Sequence, residues 1–277
     1  MAQARLVIVS DTHLSVRAPE AERNWSAVTA HIARARPDLV IHLGDLTLDG
    51  MTAADDLRYG RTQLDQVEAP WQAVPGNHDI GDNPSPLTPA EVGVSPQRRQ
   101  RWIDIIGADW WATDVSGWEL IGINAQLFGS GLAAEEDQWA WLENHLGSAR
   151  STQPTVLITH KPIKADENEL SAAPHYRFVP SPARRRLADL LDGRRPRLVL
   201  SGHVHQFRRL QIEDTTHAWA PTTWAVLPDA AQAPIGTKRC GILSVELDSS
   251  GATVALVEPA GVQQLTLGHH LPDPYAH

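Results

Sequence analysis

Five short stretches of the chain combine aspartate, histidine, asparagine and glycine in ways that suit metal-assisted chemistry. They are Asp11-Thr12-His13, Gly44-Asp45, Gly76-Asn77-His78-Asp79, His160 and Gly202-His203-Val204-His205. Carboxylate oxygen, amide oxygen and imidazole nitrogen are donors for zinc, manganese, iron or nickel. In Asp11-x-His13 and His203-x-His205 the spacing puts both side chains on one face of an extended segment. The glycines permit tight turns and close backbone approach in crowded loops. A pair of ions needs a carboxylate that reaches both, and Asp45, alone in its motif, is the natural choice. Taken singly, Gly44-Asp45 reads as a turn, and His160 reads as a hydrogen-bonded histidine near a core. Gly-Asn-His-Asp and Gly-His-x-His are much rarer by chance, and the signal is strong when all five occur together, each after an apolar run.

Those apolar runs are the elements that must position the motifs. Leu6 to Val9, Leu39 to Leu43, Trp71 to Val74, Glu119 to Asn124, Thr155 to Thr159 and Leu198 to Leu200 read as strands. Asn24 to Ala35, Ala53 to Val67, Gln97 to Ile106, Glu135 to Leu146 and Pro182 to Leu191 read as helices between them. This alternation predicts a layered α/β domain. Ligand sites in such sheets form beyond the carboxyl ends of strands, so the five motifs are expected at one sheet edge. After residue 205 the alternation gives way to Leu210 to Ile212, His217 to Ala220, Thr223 to Leu227, Gly241 to Leu247 and Ala252 to Val257, read as antiparallel strands. Residues 1–268 form one expected domain, with an irregular insert at 80–110 as a candidate lid, a further loop at 166–182 and a poorly ordered tail at 269–277.

The chain has 277 residues, 42% hydrophobic and 21% charged, an ordinary globular composition able to bury a core. Its formal charge of -9 argues against general polyanion binding and so against nucleic acid as a partner. The single cysteine, Cys240, excludes an intramolecular disulfide and a cysteine-based zinc site and points to a reducing compartment. With no signal-peptide pattern and no membrane-length apolar segment, a soluble cytoplasmic protein is the expectation. His42, three residues before Asp45, could support a metal ligand or serve as a buried structural histidine. Trp102, beside the insert, is a candidate for lining a pocket. His31, His145, His217 and His269-His270 lack motif context and are assigned to surface or tail. Arg98-Arg99 and Arg184-Arg185-Arg186 read as solvated helix faces, with phosphate recruitment the minority reading.

Together the five motifs resemble those of the calcineurin-like metallophosphoesterase superfamily over residues 6 to about 207. Within it, Gln138-Trp139-x-Trp141-Leu142 resembles a segment of the bacterial class III cyclic-nucleotide phosphodiesterases and their glycerophosphodiester-hydrolysing relatives. The resemblance implies a four-layer α/β/β/α sandwich with C-terminal antiparallel strands. It implies two divalent or trivalent ions, Mn, Fe or Zn. Asp11, His13 and His205 would hold one, Asn77, His160 and His203 the other, and Asp45 would bridge them. His78 would face the substrate and protonate the leaving group. Asp79 could orient His78 or cap a helix start. Two ions about 3.5–4 Å apart would share and acidify a water that attacks phosphorus in line. Close relatives often carry two histidines where this chain has His160-Lys161-Pro162; the His-x-Pro pattern survives. The implied substrate is a small phosphodiester, with a phosphomonoester as the alternative and a non-catalytic scaffold a distant third, because no ligand is missing. A homodimer through the C-terminal strands is compatible with this pattern.

Overall fold

The computed structural model describes residues 3–85, 89–147, 153–163, 177–191 and 195–269. Two sheets carry the fold. The first has β1 (Ala4–Val9), β2 (Leu39–His42) and β3 (Trp71–Ala73) in parallel, extended by the antiparallel β10 (Ile242–Leu247) and β11 (Ala252–Val257), in the order β11-β10-β1-β2-β3. The second contains β4 (Trp111–Val115), β5 (Trp118–Ile123), β6 (Thr155–Thr159), β7 (Leu198–Ser201), β8 (Arg208–Ile212) and β9 (Thr215–Trp219), in the order β4-β5-β6-β7-β9-β8. Its centre, β5-β6-β7-β9, is parallel, and its edges are antiparallel.

The period-2 alternation of buried strands sorts side chains to the two faces of each sheet. Leu6 and Ile8 of β1 and Leu39 and Ile41 of β2 point between the sheets, where they meet Leu120, Val156, Ile158, Leu198 and Leu200. Val7, Val9 and Val40 point outward, under α1 (Pro19–Ala35), α2 (Ala54–Leu64) and α4 (Pro96–Ile105), through Trp25, Val28, Ile32, Leu57, Leu64 and Trp102. On the far side, Ile121, Ile123, Leu157 and Val199 lie under α5 (Ala133–Gly147) and α6 (Ser181–Leu191). The result is the four-layer α/β/β/α sandwich.

Several details differ from the sequence reading. Helix α1 starts five residues before Asn24, with Pro19 in its first turn and Glu20 and Glu22 on the positive end of the dipole. Strand β4 pairs with β5 but was not foreseen. β9, expected in an antiparallel set, runs parallel to β7. Thr223 to Leu227 is not a strand; among the described residues its ladder-like contact is the isolated bridge Val226↔Thr266. Trp102 is fully buried in the outer core. His217 is buried rather than on the surface. Arg99 forks onto Asp109 at 2.7 and 2.9 Å and Arg98 binds Met51 O and Glu91 O, whereas Arg185 is exposed and Arg186 meets Glu143 at 3.0 Å on the surface, a solvated helix face as expected. Residues 86–88 of the expected insert, 166–176 of the expected loop and the tail from His270 onward lie outside the described residues. Among the described residues, no helix is long and apolar enough to cross a membrane.

Cys240 is buried against Trp224 O and Leu265 O, and burial pushes its thiol up to about 11. At pH 8 the thiolate fraction is then about 10⁻³, and the thiolate is the nucleophile. Iodoacetamide at pH 8 should leave the native thiol unlabelled and label it fully after unfolding, as read by mass spectrometry; rapid labelling of the native chain would contradict the burial argument. The folded value lies above the ordinary 9.0. The stability tied to the neutral thiol is therefore present below about pH 9 and lost as pH rises through about 11.

Candidate metal centre

All five motifs follow parallel strands, so their loops emerge at one edge of the two sheets. Motif backbones are laced to one another: Asp11 N donates to Gly44 O (3.0 Å), His13 N to Asp45 O (3.1 Å) and Gly202 N to His160 O (2.8 Å). Asp11, His13, Asp45, His203 and His205 all adopt positive φ, between 46° and 67°. They are five of the eight described non-glycine residues that do so; the others sit at the end of α1 (Arg36) and at the β4–β5 and β8–β9 turns (Ser116, Glu213). Left-handed backbone at non-glycine residues is sparsely populated and is held only where the surroundings over-determine it. Gly44 (φ 101°) shows how tight the packing is: a Cβ there would meet Gly76 N and His160 Nδ1 at 2.7 Å each.

The donor atoms form two groups that share one oxygen. In the first, His13 Nε2 and His205 Nε2 are 3.2 Å apart, and His205 Nε2 lies 3.4 Å from Asp11 Oδ1. In the second, His160 Nε2 lies 3.1 Å from His203 Nδ1 and 3.2 Å from Asn77 Oδ1. Asp45 Oδ2 lies 3.4 Å from His160 Nε2 and 3.9 Å from His13 Nε2, between the groups. Its Oδ1 is turned away and accepts from His78 N at 2.8 Å. Ions bonded at about 2.0–2.2 Å hold neighbouring donors about 3.0–3.5 Å apart, the spacing of every pair above except Asp45 Oδ2 and His13 Nε2.

The proton positions agree. His160 Nδ1 lies 2.8 Å from Leu43 O and His205 Nδ1 lies 2.7 Å from Ala225 O. A carbonyl only accepts, so both Nδ1 atoms carry protons and both Nε2 lone pairs point inward, the orientation that such outer hydrogen bonds impose on metal-binding histidines. Lone pairs and carboxylate oxygens thus converge, and cations would satisfy them. The groups also perturb each other. Burial opposes charge on Asp45, yet His160 and His78 hold its carboxyl well below the usual range. Burial opposes charge on His160 too, but Asp45 pulls it up to about 9. Burial, then His78, pushes His13 well below its usual value; burial, then His160, does so for His203. His205 is raised against its burial by Asp11.

The outer residues separate into distinct tasks. His78 Nδ1 lies 3.0 Å from Leu48 O, and the ring stands edge-on to His13 at 4.8 Å. Asp79 takes the second of its two expected places. Its oxygens accept from Leu46 N, Thr47 N, Thr47 Oγ1 and Gly76 N, four donors that fill the carboxylate and tie the Asp45 loop to the start of α3 (Asn77–Ile80). Burial, then Asp45, raises its pKa to about 6. His42 is structural: Nδ1 accepts from Gly44 N at 3.2 Å, and Nε2 lies 2.9 Å from Thr12 Oγ1. Its burial keeps it neutral, with a pKa of about 4.

Lys161, in place of a second histidine, is buried and ion-paired with Asp82. Burial lowers its pKa in spite of that partner. Ser10 was not foreseen: its hydroxyl donates to Asp11 Oδ2 at 2.5 Å, and His203 N donates to the same oxygen at 3.0 Å. The carbonyls of Leu43 and Ala225 carry no sequence signal at all.

Comparison with known proteins agrees with this geometry. A family profile described as calcineurin-like phosphoesterase matches residues 4–207. A protein of Synechococcus sp. described as a probable cyclic nucleotide phosphodiesterase is 29% identical over 256 residues, 88% of each chain. A protein of Moraxella catarrhalis with the same description is 29% identical over 180 residues, 60% of each. Among solved structures, a dimetal phosphatase from Danio rerio superposes with a TM-score of 0.60 at 14% identity, covering 93% of this chain and 99% of that one. The GAP50 anchor of the Plasmodium inner membrane complex superposes with a TM-score of 0.64 at 15% identity, covering 99% and 92%. At such identities the structural likeness concerns the fold alone.

Proposed function

The chain belongs to the calcineurin-like phosphoesterase family, whose members are metal-dependent phosphoric ester hydrolases, and from that premise we propose that it hydrolyses a small phosphodiester of the cyclic-nucleotide or glycerophosphodiester kind at a two-ion centre. The observation that carries the two-ion reading is Asp45 Oδ2, poised between the two donor groups. Asp11, His13 and His205 would hold one ion, Asn77, His160 and His203 the other, and Asp45 would serve both. Bound there, divalent ions supply an acidified water and neutralise phosphate charge. The diester preference is supported by the two relatives described as cyclic nucleotide phosphodiesterases.

The protein's own residues do the remaining work. Asp11 and Asp45 hold fixed negative charge among the imidazoles, so the ions are neutralised in part and the substrate phosphate still binds. A water acidified in this way would lose one proton to solvent, and its oxygen would bond to phosphorus as the opposite ester P–O bond breaks. The departing alkoxide takes a proton from His78. The ring is orientated for this by its Nδ1–H donating to Leu48 O, which leaves Nε2 as the proton carrier.

Protein reconstituted with Mn²⁺ should be assayed on bis(p-nitrophenyl) phosphate, p-nitrophenyl phosphate, 3′,5′-cyclic AMP and a glycerophosphodiester. We expect diester kcat/KM to exceed that for the monoester by at least about tenfold, a difference of 1.4 kcal/mol in transition-state binding. A monoester preference would overturn the diester assignment and leave the family intact.

A further inference from the structure

The segment Thr222–Ala225, whose last three residues were read from sequence as part of a strand, lies beyond the stretch matched by the family profile and behind one half of the candidate centre. All four of its residues are buried. Thr222 Oγ1 donates to Asp11 O at 2.8 Å and accepts from Trp224 N at 3.0 Å. Thr223 N donates to Ser10 O at 3.1 Å. The Trp224 ring packs on His13, centroids 4.9 Å apart. Ala225 O accepts from His205 Nδ1 at 2.7 Å. Each residue of the Asp11–His13–His205 group is therefore touched by this segment from outside. Among the described residues, none of its hydrogen bonds or ring contacts reaches Asn77, His160 or His203.

The segment is itself clamped. Asn24, fully buried on α1, donates through Nδ2 to Thr223 O (2.8 Å), Trp224 O (3.2 Å) and Gln263 O (3.0 Å), and its Oδ1 accepts from Gln263 N (2.8 Å). One helix side chain thus pins an irregular segment, which holds Asp11 in its left-handed conformation and fixes the tautomer of His205.

We infer that Thr222–Ala225, clamped by Asn24, is a positioning segment for one metal site only: it sets the affinity of the Asp11–His13–His205 site and leaves the Asn77–His160–His203 site alone. This rests on the two-ion reading above. Outer hydrogen-bond partners of metal ligands typically matter by 10–100-fold in affinity.

The test is calorimetric titration of chelator-stripped protein with Mn²⁺. Wild type should show two binding events; no binding would sink the two-ion reading, and this inference with it, before any variant is made. Thr222→Val, nearly isosteric but without the hydroxyl, should weaken one event by about 10–100-fold and leave the other within about threefold. Asn24→Ala should do the same, and Thr222→Ser should restore both events. The loss should persist in a His203→Ala background and vanish in a His205→Ala background. Circular dichroism and Tm of the stripped proteins identify a variant that fails to fold, in which case the Thr222 pair decides. Two unchanged events, equal weakening of both, or no rescue by serine would overturn the assignment.

Discussion

Asp45→Asn should give a folded chain that binds neither ion tightly and has lost nearly all turnover. Loss of a single electrostatic donor from an active site already costs about 10²–10³ in rate, so removal of the one charge facing both donor groups should cost at least about 10³. The fold should survive because asparagine keeps an oxygen to accept from His78 N, as Asp45 Oδ1 does. What disappears is Oδ2, 3.4 Å from His160 Nε2 and 3.9 Å from His13 Nε2. An amide presents at best one neutral donor atom there and places N–H groups among lone pairs. Metal content after gel filtration and kcat/KM on a diester are the measurements. A variant that retains two ions and turns over within tenfold of wild type would remove Asp45 from the bridging position.

His78→Ala should separate chemistry from metal binding. The His78 ring lies close to His13 and Asp45, but the proposed assignment gives it no ion to hold, and the backbone N–H that donates to Asp45 is retained by alanine. Both ions should therefore stay. Turnover of a diester with a poor alkoxide leaving group should fall by 10²–10⁴, the usual worth of general acid catalysis, whereas an ester that releases p-nitrophenolate needs little protonation and should lose less than about tenfold. Equal losses on both substrates, with metal content unchanged, would make His78 a binding group. Near-normal turnover on both would remove it from the reaction.

Much of this was legible because the motifs depend on local signals. Val7, Ile8 and Val9, or Val156, Leu157 and Ile158, announce buried parallel strands, and the polar motif that ends each one lands at the same edge by topology alone. The errors arose where contacts from distant residues decide. Thr223, Trp224 and Val226 have strand-forming side chains, yet their backbone N–H groups go to Ser10, the Thr222 hydroxyl and a loop rather than to a ladder, and β propensity reflects such context more than an intrinsic preference. The start of α1 was missed because Pro19 to Glu22 carries no large apolar residue, although proline and two acids marked it. Asp79 was considered a partner of His78 because the two are adjacent in sequence. On a helix, successive side chains do not face each other, and Asp79 turns instead to the loop of Leu46 and Thr47.

The two donor groups each draw on both sheets. Asp11, His13, Asp45 and Asn77 follow strands of the first sheet; His160, His203 and His205 follow strands of the second. Under the proposed assignment each ion is a rivet through the seam of the sandwich. Ligands bound only by the native state stabilise it by mass action, about 2.7 kcal/mol per site at a free concentration 100 times Kd. Cellular metal supply would then govern how long the two halves stay closed as well as how fast the reaction runs. A metal-starved chain would be exposed first along the edge where its chemistry takes place.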